Sequence, residues 1–484
     1  MIFFKTIISI TWILLTSSMV FSSNSSSEEE LRNKYWQEMY LGITDRQDEY
    51  FVQKLDHLDP TNGDTWLQRY WVNSKYHKKG GPAFLWLNGE GPGTDILITA
   101  GRWKSYAEYF NATLFSLEHR FYGQSMPKND TRTEHLVYLS SKQAVADIAN
   151  FIQGMSAKYA LPNNTKWILT GCSYSGSLAA WARLKYPQLV HGAVSSSAPL
   201  LAKKDFTEYY QVVKTSFDFY KPKCSSKIAE ANRQLDLLIK NDEGRKQATK
   251  LLNLCSELKN NTDDTSTFFN RVAELFAEAA LFNNKMKIET LCDKMASQNA
   301  TTLQSYSDAI SYALNESSSH CLLNSFQNKI DELNQIPQRK SYPSSARQWL
   351  YQTCTEFGWY PVSNISSDFF LPHISTEFYI KQCKEVVGPE FNESLLEKAV
   401  NETNNFYGGL KMNVGNVVFV HGSIDPWRSI GITRAEIPNA SYQTIYINGS
   451  GHCDDMNPFI TETEDLKIVR RKIKRMLKSW LHNK

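Results

Sequence analysis

Beyond its first residues the sequence lacks any uninterrupted apolar run approaching the ~18 residues that a membrane-crossing helix needs. It also lacks a dominant charge. Fifty-three Lys and Arg stand against 50 Asp and Glu, a net charge of +3. No strong field therefore points to nucleic acid or to an anionic membrane as a partner. No Cys/His spacing suggests zinc, and no Walker loop or dinucleotide fingerprint follows a strand, so neither a metal nor a cofactor is expected. Internal repeats are missing too. What remains is a chain of 484 residues, 42% hydrophobic and 13% aromatic, ample for a large core.

The opening stretch "MIFFKTIISITWILLTSSMVFSS" pairs Lys5 with an apolar run of roughly fifteen residues and then serines. It reads as a secretory signal over 1–23 rather than an anchor, and 24–35 as a Ser- and Glu-rich disordered segment. Eight cysteines and about a dozen N-x-S/T sequons, Asn111, Asn260 and Asn439 among them, fit an exported glycoprotein with disulfides. Six cysteines lie between 224 and 383. Cys172 and Cys453 are expected as buried free thiols, with a bond between them the alternative.

Apolar strands alternate with helical patterns from about residue 45 to 204. "AFLWLNGEGPG", "ATLFSLEHRFYG", "KWILTGCS" and "HGAVSSSAP" read as strands running into turns. "KQAVADIANFIQGMSAKY" puts Val145, Ile148, Ile152 and Met155 on one helical face. From 205 to 345 helical patterns dominate, as an insertion, and strands return within 346–484 in "NVVFVHGSIDP" and "YQTIYINGSGH". The reading is an α/β fold with a parallel sheet split by a helical insertion. The basic tail "DLKIVRRKIKRMLKSWL" is an amphipathic helix expected to pack on the sheet.

One strand-to-helix turn carries the chemistry. In "LTGCSYSGSLAAWARLKYP", Ser173 stands between Gly171 and Ser175, with Gly176 next. A nucleophilic serine on a tight turn needs small residues two before and two after it, and serine fits where the last glycine of G-x-S-x-G would be. The helix that follows would aim its N-terminus at the site, which makes the Tyr174 amide one oxyanion donor. Gly89 or Glu90, in the turn after an earlier strand, would supply the second. An α/β hydrolase places its acid and histidine after the nucleophile, at the ends of later strands. Asp425 and His452 stand in those places. Glu118, His119 and Arg120 read as a structural ion-pair network. Glu356 is a candidate for a substrate's amino terminus, or a buried paired carboxylate. Trp359 and Trp427 are candidates for a pocket wall, or core.

The stretches "LEHRFYGQSMP", "GCSYSGSLAAWARLKYPQLV", "RQWLYQTCTEFGWY", "NFYGG", "GSIDPW" and "SGHCDDM", in that order, resemble the serine peptidase family of lysosomal prolyl carboxypeptidase, dipeptidyl peptidase II and thymus-specific serine protease. The stretches "SLAAWARLKYP" and "LYQTCTEFGWY" look most like the branch of thymus-specific serine protease. The resemblance runs from about 45 to 480. It implies an α/β-hydrolase sheet with an inserted helical cap, a triad on Ser173, Asp425 and His452, and an acyl-enzyme route. It also implies peptide substrates, often with proline, in a secreted or lysosomal/endosomal setting. Disulfides resembling the family's would be Cys224–Cys292, Cys255–Cys321 and Cys354–Cys383. Where exopeptidase members have a glycine-rich run after Asp-Pro-Trp, this chain reads "DPWRSIGIT", so the cleavage mode stays open. A lipase or esterase on the same scaffold, or a non-catalytic glycosylated binding protein, is the alternative. A homodimer is left open.

Overall fold

The computed structural model describes residues 47–283, 286–336, 345–363, 369–457 and 462–482. The expected signal segment, 1–23, lies outside the described residues.

Eight strands form one sheet: β1 (Glu49–Lys54), β2 (Thr65–Asn73), β3 (Ala83–Leu87), β4 (Thr113–Leu117), β5 (Trp167–Cys172), β6 (Val190–Ser196), β7 (Val417–Gly422) and β8 (Gln443–Ile447). Their order is β1-β2-β4-β3-β5-β6-β7-β8. β2 runs antiparallel to both its neighbours, and every other pairing is parallel. This is the sheet of an α/β hydrolase, as the sequence implied. β3, β4 and β7 are buried along their whole length, as strands covered on both faces must be.

Two apolar layers cover the sheet. On one face the helix Ser141–Lys158 buries Val145, Ile148, Ile152 and Met155, the expected stripe. The side chain of Ser140 caps this helix by accepting from the Gln143 amide at 3.2 Å. On the other face the helix Glu464–His482 buries Leu466, Val469, Ile473 and Leu477, at spacings of three and four. The basic tail therefore packs on the sheet, as expected. Among the described residues no helix is long and apolar enough to cross a membrane.

β6 and β7 are neighbours in the sheet, yet more than half of the helices among the described residues lie between them in sequence. Two of the transferred disulfides, Cys224–Cys292 and Cys255–Cys321, tie helices and loops within that stretch. Cys354–Cys383 joins its later part. All three pairings match those the resemblance implied.

Of the expected ion-pair network, Glu118 and Arg120 are ion-paired, each with a different partner, while the His119 ring is hydrogen-bonded to the Arg120 carbonyl and the Tyr174 hydroxyl. Glu118 is fully buried, pairs with Arg69, and accepts from the Ser125 hydroxyl at 2.7 Å and the Gly93 amide at 2.8 Å. Arg120 pairs with Asp147 through two bonds of 2.6 Å. A buried charge is tolerable when its partners are this complete. The network anchors the loop after β3, which faces the site described next.

Candidate active site

Ser173 follows the last residue of β5 and precedes the helix Tyr174–Lys185. Its φ of 60° and ψ of −132° lie where non-glycine residues rarely sit. Such strain costs of order 1–3 kcal/mol and persists only when the surroundings enforce it. Here they do. A Cβ on Gly171 would run into the backbone of Ser175, and one on Gly176 would come within 2.6 Å of the Ser196 carbonyl. The Ser173 amide donates to that same carbonyl at 2.9 Å. Ser175 does more than fit. Its hydroxyl donates to the Cys172 carbonyl at 2.8 Å and accepts from the Cys172 amide at 3.0 Å, so it staples the turn. The small-residue pattern pointed to the turn but not to this staple.

Asp425 stands three residues past the end of β7 and is fully buried. One carboxylate oxygen accepts from the Trp427 amide at 3.0 Å, the other from His452 Nδ1 at 2.8 Å. Burial alone would push its carboxyl up, but the adjacent imidazole holds it below the ordinary range. His452 feels the converse. Burial counts against the imidazolium, yet the Asp425 carboxylate outweighs it, with Glu90 and Asp454 adding to the pull, and the ring's pKa is raised. Because Nδ1 donates to a carboxylate, Nε2 is left as the basic nitrogen.

The loop carrying His452 is fixed from several sides. Its own amide donates at 2.9 Å to the carbonyl of Leu281, the last residue of the helix Thr262–Leu281. The inserted helices thus hold the histidine directly. Gly451 is required at that contact, since a Cβ there would lie 2.5 Å from the same carbonyl. Asp454 accepts from the Gly451 amide at 2.6 Å and the Ser450 hydroxyl at 2.8 Å. The Cys453 amide donates to the Ser197 hydroxyl at 2.9 Å.

Cys172 and Cys453 are joined, which corrects the expectation of two free thiols. Packing preference was the wrong guide. Cys172 precedes Ser173 and Cys453 follows His452, and in this fold the two loops approach so that the cysteine Cα atoms stand 5.8 Å apart, within bonding range. A ligand atom of His452 and both sulfurs lie within 4.8 Å of one another. The bond therefore clamps the Ser173 turn to the His452 loop. Replacing both residues, Cys172→Ser with Cys453→Ser, is expected to lower kcat by about a hundredfold with KM little changed, because small misplacements at a reacting centre are costly. Steady-state kinetics on the folded variant check this. Thiol reductant should lower kcat of the wild type by a larger factor than that of the double variant, which keeps only the other three disulfides.

Ser173 and His452 line one cavity of about 640 Å³. Of the other predicted residues, Tyr174, Gly89, Glu90, Trp359 and Trp427 line it too. Gly89 lies against the start of the nucleophile helix, its Cβ position 3.6 Å from that of Ser175. Phe282 and Trp349, which the sequence reading did not single out, extend the aromatic wall. Trp359 stacks on Phe357 at 4.2 Å and meets Trp427 edge-on at 6.1 Å.

Of the two readings of Glu356, its surroundings match the buried carboxylate. Both its oxygens accept from the Ser141 amide at 2.9 Å, one also takes the Ser141 hydroxyl at 2.6 Å, and Gln352 adds a bond of 3.3 Å. It lies buried at the N-terminus of the helix Ser141–Lys158 and does not line the cavity. Its carboxylate is spent on that helix end rather than on a substrate.

The profile of a family described as serine carboxypeptidase S28 matches residues 53–473. A Caenorhabditis elegans protein named as a serine protease is 33% identical over 461 residues, 89% of this chain and 88% of that protein. Thymus-specific serine protease of Mus musculus is 32% identical over 449 residues, 89% of this chain and 87% of that one. Lysosomal Pro-X carboxypeptidase of Homo sapiens is 28% identical over 456 residues, 90% and 88% of the two chains.

Proposed function

This chain belongs to the serine carboxypeptidase S28 family, and from that premise we propose that Ser173, His452 and Asp425 are the nucleophile, general base and orienting acid of a serine peptidase. The protein is a serine-type hydrolase, and peptides are its substrates. The observation that carries the assignment is the 2.8 Å bond from His452 Nδ1 to buried Asp425, with His452 and Ser173 facing one cavity.

The steps follow from the parts. Ser173 Oγ attacks the scissile carbonyl as His452 Nε2 takes its proton. Asp425 holds the ring in the right tautomer and stabilises the imidazolium, without itself taking the proton. The Tyr174 amide, with that of Gly89 or Glu90, meets the developing oxyanion, aided by the positive end of the helix Tyr174–Lys185. His452 then returns the proton to the leaving amine. Water deacylates the serine with the same base.

The aromatic wall supports a preference for proline next to the scissile bond. A rigid pyrrolidine ring stacks on Trp359 and Trp427 at little entropic cost. The inserted helices cover the cavity and restrict it to peptides or chain ends. A secreted or lysosomal/endosomal setting is supported by four disulfides, which persist in oxidising compartments, and by the lysosomal Pro-X carboxypeptidases among the relatives.

Three substrates test the reading: a proline-containing peptide, its alanine counterpart and a short-chain ester. The expected order of kcat/KM is proline peptide above alanine peptide, by about tenfold as one well-packed ring contact allows. An enzyme that turns over the ester but neither peptide would be an esterase instead.

A further inference from the structure

The catalytic steps above leave one carboxyl group in the cavity without work. Glu90 lines the cavity together with Ser173 and His452. Among the described residues its side chain has no ion pair and no hydrogen bond to another side chain; its one recorded bond is with its own backbone amide. Four buried carboxylates are differently placed. Glu118 has Arg69, Asp147 has Arg120, Glu356 has Ser141 and Asp425 has His452. The first two and the last face a cationic or protonatable partner, and Glu356 is held by hydrogen bonds.

Glu90 is instead half-buried in a cavity whose lining is largely apolar. Leu97, Phe282, Trp359 and Trp427 share the cavity. Taking a carboxylate out of water without a partner is costly, and burial accordingly pushes its pKa up, while His452 pulls it partly back. An uncompensated carboxyl in a ligand cavity marks a group that awaits its partner from outside. Its position limits where that partner can be. Gly89, the residue before it, packs on Ser175 at the head of the nucleophile helix, and Glu90 and His452 feel each other's charge. A group bound by Glu90 therefore lies within a residue or two of the scissile carbonyl.

We propose that Glu90 is a specificity residue that receives an ammonium group of the substrate, so that the enzyme prefers peptides carrying a positive charge beside the bond it cuts. Two sources share this chemistry: the free α-amine of a peptide's N-terminus, and a lysine side chain next to the scissile bond. A substrate's C-terminal carboxylate at the same place would meet a like charge. The subsite thus favours trimming from the N-terminal side, or after a basic residue, over removal of a C-terminal residue. This inference rests on the triad assignment, and the experiment separates the two.

Two matched substrate pairs are compared by kcat/KM. One pair differs by an acetyl group on the N-terminus close to the cut. The other replaces lysine by norleucine before the scissile bond. The wild type is expected to favour the charged member of at least one pair by about 10- to 100-fold, the range of a charge-assisted hydrogen bond. A preference in the first pair identifies the α-amine, and in the second the side chain. Glu90→Gln is expected to remove most of that preference by slowing the charged member, while Glu90→Asp keeps its sign. Equal rates within both pairs for the wild type, a test that needs no variant, would overturn the proposal. So would a Glu90→Gln enzyme that keeps the full preference. Fluorophosphonate labelling of Ser173 is run alongside. Labelling without any charge preference refutes the role of Glu90 alone, whereas a folded, active wild type that takes no label at Ser173 refutes the triad beneath it.

Discussion

Ser173→Ala is expected to lower kcat on a peptide substrate by about a millionfold, leaving a remnant some thousandfold above the uncatalysed rate. The remnant has a physical source: the cavity and the oxyanion donors still bind and polarise the carbonyl when no alcohol can attack it. The fold should be unharmed. The turn at φ 60° is enforced by Gly171, Gly176 and the Ser175 staple, none of which needs the Ser173 hydroxyl. KM should therefore change little, and the circular dichroism spectrum should match that of the wild type. The measurement is single-turnover and steady-state hydrolysis with enzyme freed of any wild-type contaminant. A variant that retains a tenth of the activity would remove Ser173 from the chemistry.

Asp425→Asn is expected to cost about ten-thousandfold in kcat, with the pH profile changed in a defined direction. In the wild type the raised pKa of His452 puts the acid limb of kcat/KM above the ordinary histidine value of ~6.5. Below that limb the imidazole is protonated and cannot take the Ser173 proton, so activity falls as pH falls. The Asp425 carboxylate is the main influence that raises His452 against its burial. With asparagine in its place the imidazolium loses that support, the pKa drops, and the acid limb of the residual activity moves to lower pH. A pH–rate profile of both enzymes checks the sign. A limb that stays put would mean that Asp425 does not govern His452.

The route from sequence to site was short where sterics dictated composition. Ser173 was legible because a strained turn excludes large neighbours, and Gly171 and Gly176 record that exclusion. Asp425 and His452 were legible because both follow apolar strands and thus fall at the same edge of a parallel sheet. The staple at Ser175 was not legible, since a serine in place of glycine looks like a tolerated substitution until its hydroxyl is seen on both backbone groups of Cys172. The Cys172–Cys453 bond was misjudged because burial was weighed for each cysteine alone, whereas convergence of their neighbours decides it. For Glu356 the sequence left two readings open, because nothing in it shows the π-helical turn over Thr353–Phe357 or the approach of Ser141 that the carboxylate bonds. β1 and β2 went unassigned because they form the antiparallel end of the sheet. Their half-exposed residues, such as Tyr50, Val52 and Leu67, give no continuous apolar run.

The central claim is that Ser173, activated by His452 and Asp425, is the residue that forms the covalent intermediate. Fluorophosphonate treatment of the wild type, followed by peptide mapping of the adduct, tests it most directly. The account requires one phosphonyl group per chain, carried by Ser173, with hydrolysis lost in step with labelling. An inactivating adduct on a different serine, or full activity in protein whose Ser173 is labelled, would contradict it.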